Sequence, residues 1–191
     1  KKDIAAVIVE ATGGHWGQLP IPNPRFLQDL RKLTSKYGVV MIMDEVVCGF
    51  RISRGGAQER FDVIPDLTSM AKIVAGGLPG GALVGREEIM DMLGSPADPS
   101  LYMAHPGTFN ANPVSATAGI TKLEILAEEP INETADAMAD LLKGGLRNAL
   151  TKLEVTGHVH GVASVVHVAL GVECDCDGEI CTQPHSELLA A

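Results

Sequence analysis

Short apolar runs and a helical stripe alternate along the first part of the chain. The runs at 4–9 and 39–43 are rich in strand-forming residues and too short for helices. Between them, a stretch opened by Pro24 and closed by Gly38 has the spacing of an amphipathic helix. Its apolar side consists of Phe26, Leu27, Leu30, Leu33 and Tyr37. A strand, a helix and a strand in this order predict a right-handed crossover within a parallel sheet.

The run from Val39 to Met43 ends abruptly on two carboxylates, Asp44 and Glu45. It shows no alternation of apolar and polar residues, so we predict a central strand that is covered on both faces. Ligands of parallel sheets bind at the carboxyl ends of the strands, which is where Asp44 would lie. Asp44 then either caps the following turn or pairs with a cation, because an unpaired buried charge is unfavourable.

A single lysine, Lys72, follows a further short apolar run and precedes a glycine-rich turn. Its neighbours in the chain are Met70, Ala71, Ile73, Val74 and Ala75. We therefore predict a desolvated side chain whose free amine can form an imine, the alternative being a solvated surface charge. The glycines that follow Lys72 do not indicate a nucleotide-binding loop, since the lysine precedes them and the pattern GxxxxGK[ST] does not occur.

The second half of the chain is predicted to contain two helices and a strand. A long polar loop at 94–112 leads to a helix that is opened by Pro113. A strand is predicted at 162–170. Between these, a helix at 131–150 has an inner apolar stripe formed by Ile131, Ala135, Met138, Leu141, Leu142 and Leu146.

Two arginines, Arg51 and Arg54, lie in the connection at 49–66 that leads to Lys72. They are candidates for binding the carboxylate of a substrate. The alternative is a solvated charge, which is the ordinary state of arginines in loops.

Composition excludes several classes of function. The 191 residues are 46% hydrophobic, which is enough for one substantial core. A net charge of −9 without a basic patch argues against nucleic-acid and anionic-membrane partners. No apolar stretch approaches the length of a membrane span, and no signal peptide opens the chain. The four cysteines do not form a secreted disulfide framework, so we expect a cytoplasmic enzyme domain.

We predict no metal site. The last part of the chain carries Cys174, Cys176 and Cys181, with histidines nearby. Their C-x-C-x4-C spacing matches no common zinc module. The run DCDGE has too few ligands for a calcium loop.

Five blocks of sequence stand in the order and at the spacing of one protein family. They are AAVIVE at 5–10, FLQDLRKL at 26–33, DEVVCGFR at 44–51, PDLTSMAKIVAGGLPGGALVGR at 65–86 and GTFNANP at 107–113. On these blocks, which cover about residues 4 to 170, the chain resembles the class III pyridoxal-phosphate-dependent aminotransferases of fold type I. Among the branches of that family, it is most similar to the glutamate-1-semialdehyde aminomutases.

The resemblance implies a fold and a division into domains. The fold is a three-layer α/β arrangement around a mostly parallel sheet, part of the large domain of fold type I, followed by the start of a small α+β C-terminal domain. Residues 1–130 would belong to the large domain, and residues 131–191 to a linker helix and the small domain. Family members are longer on both sides, so we expect a fragment that lacks the main phosphate-binding turn and is inactive alone.

The resemblance also implies a cofactor, pyridoxal phosphate, and five residues that contact it. Lys72 matches the lysine that binds the cofactor as an imine and later moves a proton at the alpha carbon of the substrate. Asp44 matches the aspartate paired with the pyridine nitrogen, and Val46 matches the residue packed against the ring. Gly107 and Thr108 match the pair that reaches the cofactor phosphate from the neighbouring subunit of a homodimer.

Three further positions qualify this assignment. Glu10 matches a family glutamate near the substrate. Val47 and Cys48 depart from the polar residues, often glutamine or threonine, that many members carry there. A contact from this position to the ring oxygen of the cofactor is therefore not carried over.

The implied activity is the transfer of an amino group from a small-molecule donor to a keto or aldehyde acceptor. An aminomutase, which transfers the group within one molecule, uses the same residues and remains an alternative. An inactive, truncated subunit that keeps the fold is the other alternative, although Asp44, Lys72 and Thr108 are intact.

Overall fold

The computed structural model describes residues 3–12, 25–94 and 96–171. Cys174, Cys176 and Cys181, the three clustered cysteines, lie outside these ranges. Short 3₁₀ turns occur at Lys72–Ala75, Asp91–Leu93 and Pro99–Leu101. The strands and helices, in chain order, are β1 (Ala6–Glu10), α1 (Phe26–Tyr37), β2 (Val40–Glu45), α2 (Gly56–Phe61), β3 (Leu67–Ala71), β4 (Gly81–Gly85), α3 (Glu87–Met90), α4 (Pro113–Glu128), α5 (Ile131–Lys152), β5 (Gly157–His160) and β6 (His167–Leu170).

The first four strands form one sheet in the order β1-β2-β3-β4. Strand β2 is parallel to both β1 and β3, whereas β4 runs antiparallel to β3. Strands β5 and β6 form a separate antiparallel pair. The mostly parallel α/β sheet that we predicted is therefore present, and the strand–helix–strand unit at its start is β1-α1-β2.

One face of the sheet carries the main core. Met41, Met43 and Glu45 alternate along β2 and are fully buried, and the two methionines pack with Leu27 of α1. On the opposite face, Ile42 of β2 is half-buried, and Ile8 of β1 is 65% exposed. The prediction that β2 is covered on both faces is therefore wrong for the described residues, because α1 packs on one face and no described element encloses the other.

A buried carboxylate, Asp66, connects the start of β3 with α1, β2 and the end of β4. It lies just before β3, and its Oδ2 accepts hydrogen bonds from the N–H of Met41 at 2.7 Å and from Nη1 of Arg31 at 2.8 Å. Its Oδ1 contacts Nη1 of Arg86 at 3.2 Å. Burial raises the pKa of Asp66, but these three donors outweigh burial, and the pKa lies below its ordinary value.

The inner face of α5 differs from our prediction. Three residues of the predicted inner stripe, Met138, Leu141 and Leu142, are exposed. The buried face instead includes Asn132, whose Nδ2 donates to the carbonyl oxygens at positions 50 and 51 at 3.1 Å each. Arg147, further along α5, donates to the carbonyl of Val159 at 2.9 Å. Ile131, Ala135 and Leu146 of the predicted stripe are half-buried, so the prediction from hydrophobic periodicity is correct for these three residues and wrong for the other three.

The strand predicted at 162–170 is shorter than expected. Gly161 and Ala163 have φ values of 142° and 52°, which break an extended conformation, and the strand begins only at His167. Val162, Ala163 and Val165 belong to the same hydrophobic cluster as the methionines of β2. Residues from the predicted C-terminal domain therefore contribute to the main core.

Among the described residues, no helix is long and apolar enough to cross a membrane.

Candidate functional site

Three side chains are aligned at the carboxyl ends of the parallel strands. Glu10 of β1 pairs with Asp44 of β2, and Asp44 pairs with Ser69 of β3. The hydroxyl of Ser69 lies 3.4 Å from Oδ1 of Asp44. The ligand-binding edge of a parallel sheet is at these strand ends. The sequence pattern placed Asp44 there, but Ser69 was missed because it is recognised only from the register between strands.

Asp44 has one of the two roles that the sequence left open. Its Oδ1 accepts a hydrogen bond from the N–H of Val46 at 3.0 Å, which caps the turn after β2. Within the described residues, both recorded hydrogen bonds of this half-buried carboxylate fall on Oδ1. Oδ2 therefore remains available to a cationic or N–H group of a ligand.

Lys72 begins immediately after β3, at the start of the 3₁₀ turn Lys72–Ala75. Its φ of 56° lies in the left-handed region, which a residue with a β-carbon adopts at a cost of about 1 kcal/mol. Such strain is concentrated at functional sites, where the surrounding structure maintains it. Here the chain reverses direction between β3 and β4, and the turn packs against α4.

The side chain of Lys72 is exposed, so the prediction of a desolvated lysine is wrong for the described chain. The cause lies in its neighbours. Ala71, Ile73 and Val74 are only half-buried, and Ala75, the buried residue of the turn, lies on the side that faces α4. The amine of Lys72 is therefore accessible to a reactant from solvent.

Lys72 opens onto a cavity of about 490 Å³ that carries two further basic residues, Arg51 and Lys122. The other lining residues are Ile73, Gly76, Gly77 and Leu78. Arg51 is half-buried rather than fully solvated, and its Nε donates to the carbonyl of Val47 at 3.0 Å. Asp44 is not among the lining residues, so the cavity lies beside the strand-end carboxylate rather than over it.

Lys122 was missed by sequence reasoning, and Arg54 has a different role from Arg51. Lys122 lies on α4 and reaches the cavity only because α4 packs against the 3₁₀ turn after β3. Arg54 lies 3.2 Å from the carbonyl oxygens of Ala127 and Glu129 and therefore holds the end of α4. No local sequence signal distinguishes these two environments.

The turn that contains Gly107 and Thr108 is exposed and closed by Asn110. The N–H of Asn110 donates to the carbonyl of Gly107 at 3.0 Å, and its Nδ2 donates to the carbonyl of His105 at 2.8 Å. A β-carbon at position 107 would lie 2.5 Å from Oδ1 of Asn110, so a larger residue there would require the side chain of Asn110 to move. Neither Gly107 nor Thr108 lines the cavity of Lys72 within the described chain.

Glu10 and Cys48 complete the surroundings of Asp44. Glu10 accepts hydrogen bonds from the N–H and the hydroxyl of Thr12, at 2.9 and 2.6 Å. Cys48 is fully buried, and burial raises the pKa of its thiol, with the carboxylates of Glu10 and Glu45 raising it further. A thiol in this environment is unreactive, so Cys48 is a packing residue at the position where the chain departs from the family pattern.

The family of the chain is shown by its sequence. The sequence model of the class-III aminotransferases matches residues 1–185, and the chain is a member of that family. The predicted family is thereby confirmed.

Individual relatives agree with this membership. A glutamate-1-semialdehyde 2,1-aminomutase from Methanococcoides burtonii is 40% identical over 185 residues, covering 92% of this chain and 43% of the relative. An omega-transaminase from Sphaerobacter thermophilus has a similar structure, with a TM-score of 0.79, 37% identity, and coverage of 88% of this chain and 37% of that protein. A transaminase with PLP bound gives a TM-score of 0.77 and 31% identity, with 87% and 38% of the two chains covered.

The similar structures are PLP-transferases of fold type I, which confirms the predicted fold. The chain spans less than half the length of each of these relatives.

Proposed function

We propose that this chain belongs to a pyridoxal-phosphate-dependent enzyme that moves an amino group from a small-molecule donor to a carbonyl acceptor. The observation that carries the proposal is the position of Asp44 and Lys72 at the ends of two adjacent parallel strands. Oδ2 of Asp44 is available to a ligand, and the amine of Lys72 is accessible. These two groups fit the cofactor, which needs an anion beside its ring nitrogen and an amine beside its carbonyl carbon.

When bound, pyridoxal phosphate supplies a carbonyl carbon that takes up an amine and a ring that draws electrons from the alpha carbon of the substrate. Asp44 would hold the proton on the ring nitrogen. Lys72 would hold the carbonyl carbon covalently until the donor displaces it, and its freed amine would then move the proton at the alpha carbon. Val46, two residues beyond Asp44, would pack against the ring.

A second candidate is the transfer of the amino group within one molecule. The curated relative described above is named as an aminomutase and is 40% identical to this chain, which favours this alternative. The roles of Asp44 and Lys72 are the same in both reactions. The two functions differ in whether turnover requires a separate carbonyl acceptor, and that requirement can be measured directly.

We further propose that two copies of the chain form a homodimer in which Gly107 and Thr108 reach the cofactor phosphate of the other copy. Both residues are exposed and do not line the cavity of Lys72. The adjacent apolar side chains of Tyr102, Met103 and Phe109 are 54%, 58% and 77% exposed, as is typical of an interaction surface. A cytoplasmic location and the division at residue 130 into large and small domains remain part of this proposal.

The proposal is tested in the full-length protein by the exchange of the alpha proton of an amino-acid donor for deuterium, measured by NMR with pyridoxal phosphate present. Lys72→Ala should abolish exchange, and Asp44→Asn should reduce it by orders of magnitude while the cofactor still binds. Lys152→Ala and Asp29→Asn are matched controls, because both residues are exposed on helices away from the strand ends. Near-native exchange in Lys72→Ala would refute the role of Lys72.

A further inference from the structure

The cavity beside Lys72 is basic on several sides. Its lining combines Arg51 from the connection after β2, Lys72 from the turn after β3, and Lys122 from α4. Within the described residues, its remaining lining is apolar or glycine, and no acidic side chain contributes. Three like charges around one concave space repel one another, and an anion bound between them would relieve that repulsion.

The three cations are available to a ligand. In the described part of the chain, neither Lys72 nor Lys122 makes an ion pair or a side-chain hydrogen bond. Arg51 uses Nε on the carbonyl of Val47, which restrains the guanidinium group and leaves its two terminal nitrogens. By contrast, the neighbouring Arg54 is committed to carbonyl oxygens at the end of α4 and to Glu133.

We infer that Arg51 and Lys122 form a binding site for the carboxylate of the substrate, which rests on the proposed role of Lys72. The nitrogen that replaces the Lys72 amine belongs to the substrate, and in an alpha-amino acid the carboxyl carbon is two bonds from that nitrogen. A carboxylate therefore lies close to Lys72 whenever an alpha-amino acid reacts there. The planar guanidinium fork of Arg51 matches a carboxylate in geometry, and Lys122 adds a second positive charge.

This site selects a class of substrate. Amino acids that carry a carboxylate near the transferred amino group should be preferred over simple amines, because only they can use the basic cavity. Arg51 and Lys122 act on specificity, since neither is required to hold the cofactor or to move a proton. The phosphate of the cofactor is the competing anion, and the experiment separates it from a carboxylate.

The test measures how fast acetic anhydride acylates individual lysines of the purified chain, read by peptide mass spectrometry. Succinate serves as the carboxylate probe, succinamide as its neutral counterpart, and inorganic phosphate as the competing anion. Lys36, which is exposed on α1, is the internal reference. Succinate should protect Lys72 and Lys122, but not Lys36, whereas succinamide should protect none of them.

Variants locate the site. Arg51→Gln and Lys122→Gln should each weaken the apparent affinity for succinate by about tenfold, which is the value of one charge-assisted contact. Lys152→Gln, which removes an exposed helical lysine elsewhere, should leave that affinity within about twofold. Far-UV circular dichroism confirms that each variant keeps its fold, and Lys122→Gln on the surface of α4 serves if Arg51→Gln does not fold.

The inference is overturned if succinate protects no lysine, if succinamide protects equally, or if phosphate protects more strongly than succinate. It is also overturned if both glutamine variants bind succinate as the parent chain does. These outcomes are independent of the proposed function, because attachment of pyridoxal phosphate to Lys72 can be measured with no carboxylate present. Loss of that attachment with succinate protection retained would instead refute the cofactor role and leave the anion site.

Discussion

Glu45→Gln is the substitution for which the structure gives the clearest stability prediction. Glu45 has no exposed surface, and its two carboxylate oxygens accept from three N–H groups. Oε2 accepts from the N–H of Ala57 at 2.7 Å, and Oε1 lies 3.4 and 3.1 Å from the backbone N–H and Nε2 of Gln58. Gly56 is tied to the same contact, because a β-carbon there would clash with Oε2 of Glu45.

The magnitude follows from the number of donors. Glutamine keeps the size of the side chain but replaces one acceptor oxygen with an NH₂ group, which then faces an N–H donor. One buried donor left without an acceptor costs about 1–3 kcal/mol, and the remaining contacts lose their charge assistance. We therefore expect Glu45→Gln to lower the free energy of unfolding by about 2–4 kcal/mol, a large share of the stability of a small domain.

Urea unfolding followed by far-UV circular dichroism measures this difference. Glu59→Gln is the matched control, because Glu59 also accepts a backbone N–H, from Gly55 at 2.7 Å, but is exposed. Its change should remain within about 0.5 kcal/mol. Equal losses in the two variants, or a loss below about 1 kcal/mol in Glu45→Gln, would show that burial of this carboxylate does not organise the turn between β2 and α2.

Three further predictions concern pH, the phosphate turn and backbone strain. Because the pKa of Asp66 is lowered in the folded chain, the stabilisation by its carboxylate is complete above the ordinary pKa of 3.8 and is lost as pH falls through the folded pKa. In Asp66→Asn, the urea midpoint should therefore depend less on pH below pH 4. A pH dependence equal to that of the parent chain would contradict this. Gly107→Ala should weaken pyridoxal phosphate binding by about tenfold in fluorescence titration, because the Asn110 side chain that helps to close the turn must move; unchanged binding would remove Gly107 from the site. Lys72→Asn should raise the free energy of unfolding by roughly 0.5–1 kcal/mol, since asparagine tolerates a positive φ, and a loss of stability would exclude strain at this position.

The strand ends could be predicted from sequence because their signals are local. Asp44 follows an apolar run and Lys72 follows a shorter one, so both positions can be recognised from neighbouring residues and from the five family blocks. The sequence does not reveal the register between β2 and β3, and Ser69 is recognised as a neighbour of Asp44 only from that register. Lys122 likewise reaches the cavity through the packing of α4 on the turn at Lys72, which no spacing along the chain encodes.

The errors have similar causes. Periodicity gave nearly the correct extent of α5 but only half of its inner face, since it does not reveal that a polar residue, Asn132, is buried there through hydrogen bonds to a distant loop. The predicted strand at 162–170 was interrupted at Ala163, whose positive φ does not follow from its propensity. The desolvation of Lys72 was inferred from its apolar neighbours, but Ala71, Ile73 and Val74 are themselves only half-buried and leave the amine exposed.

Borohydride reduction of the purified chain with added pyridoxal phosphate, followed by peptide mass mapping, tests the central claim most directly. Reduction fixes the cofactor wherever an amine holds its carbonyl carbon. The account predicts a cofactor-mass adduct on Lys72 and, under the same conditions, none on Lys122, which lines the same cavity. An adduct spread equally over both lysines, or absent from Lys72 both in this chain and in the full-length protein, would contradict the assignment of Lys72 as the cofactor lysine.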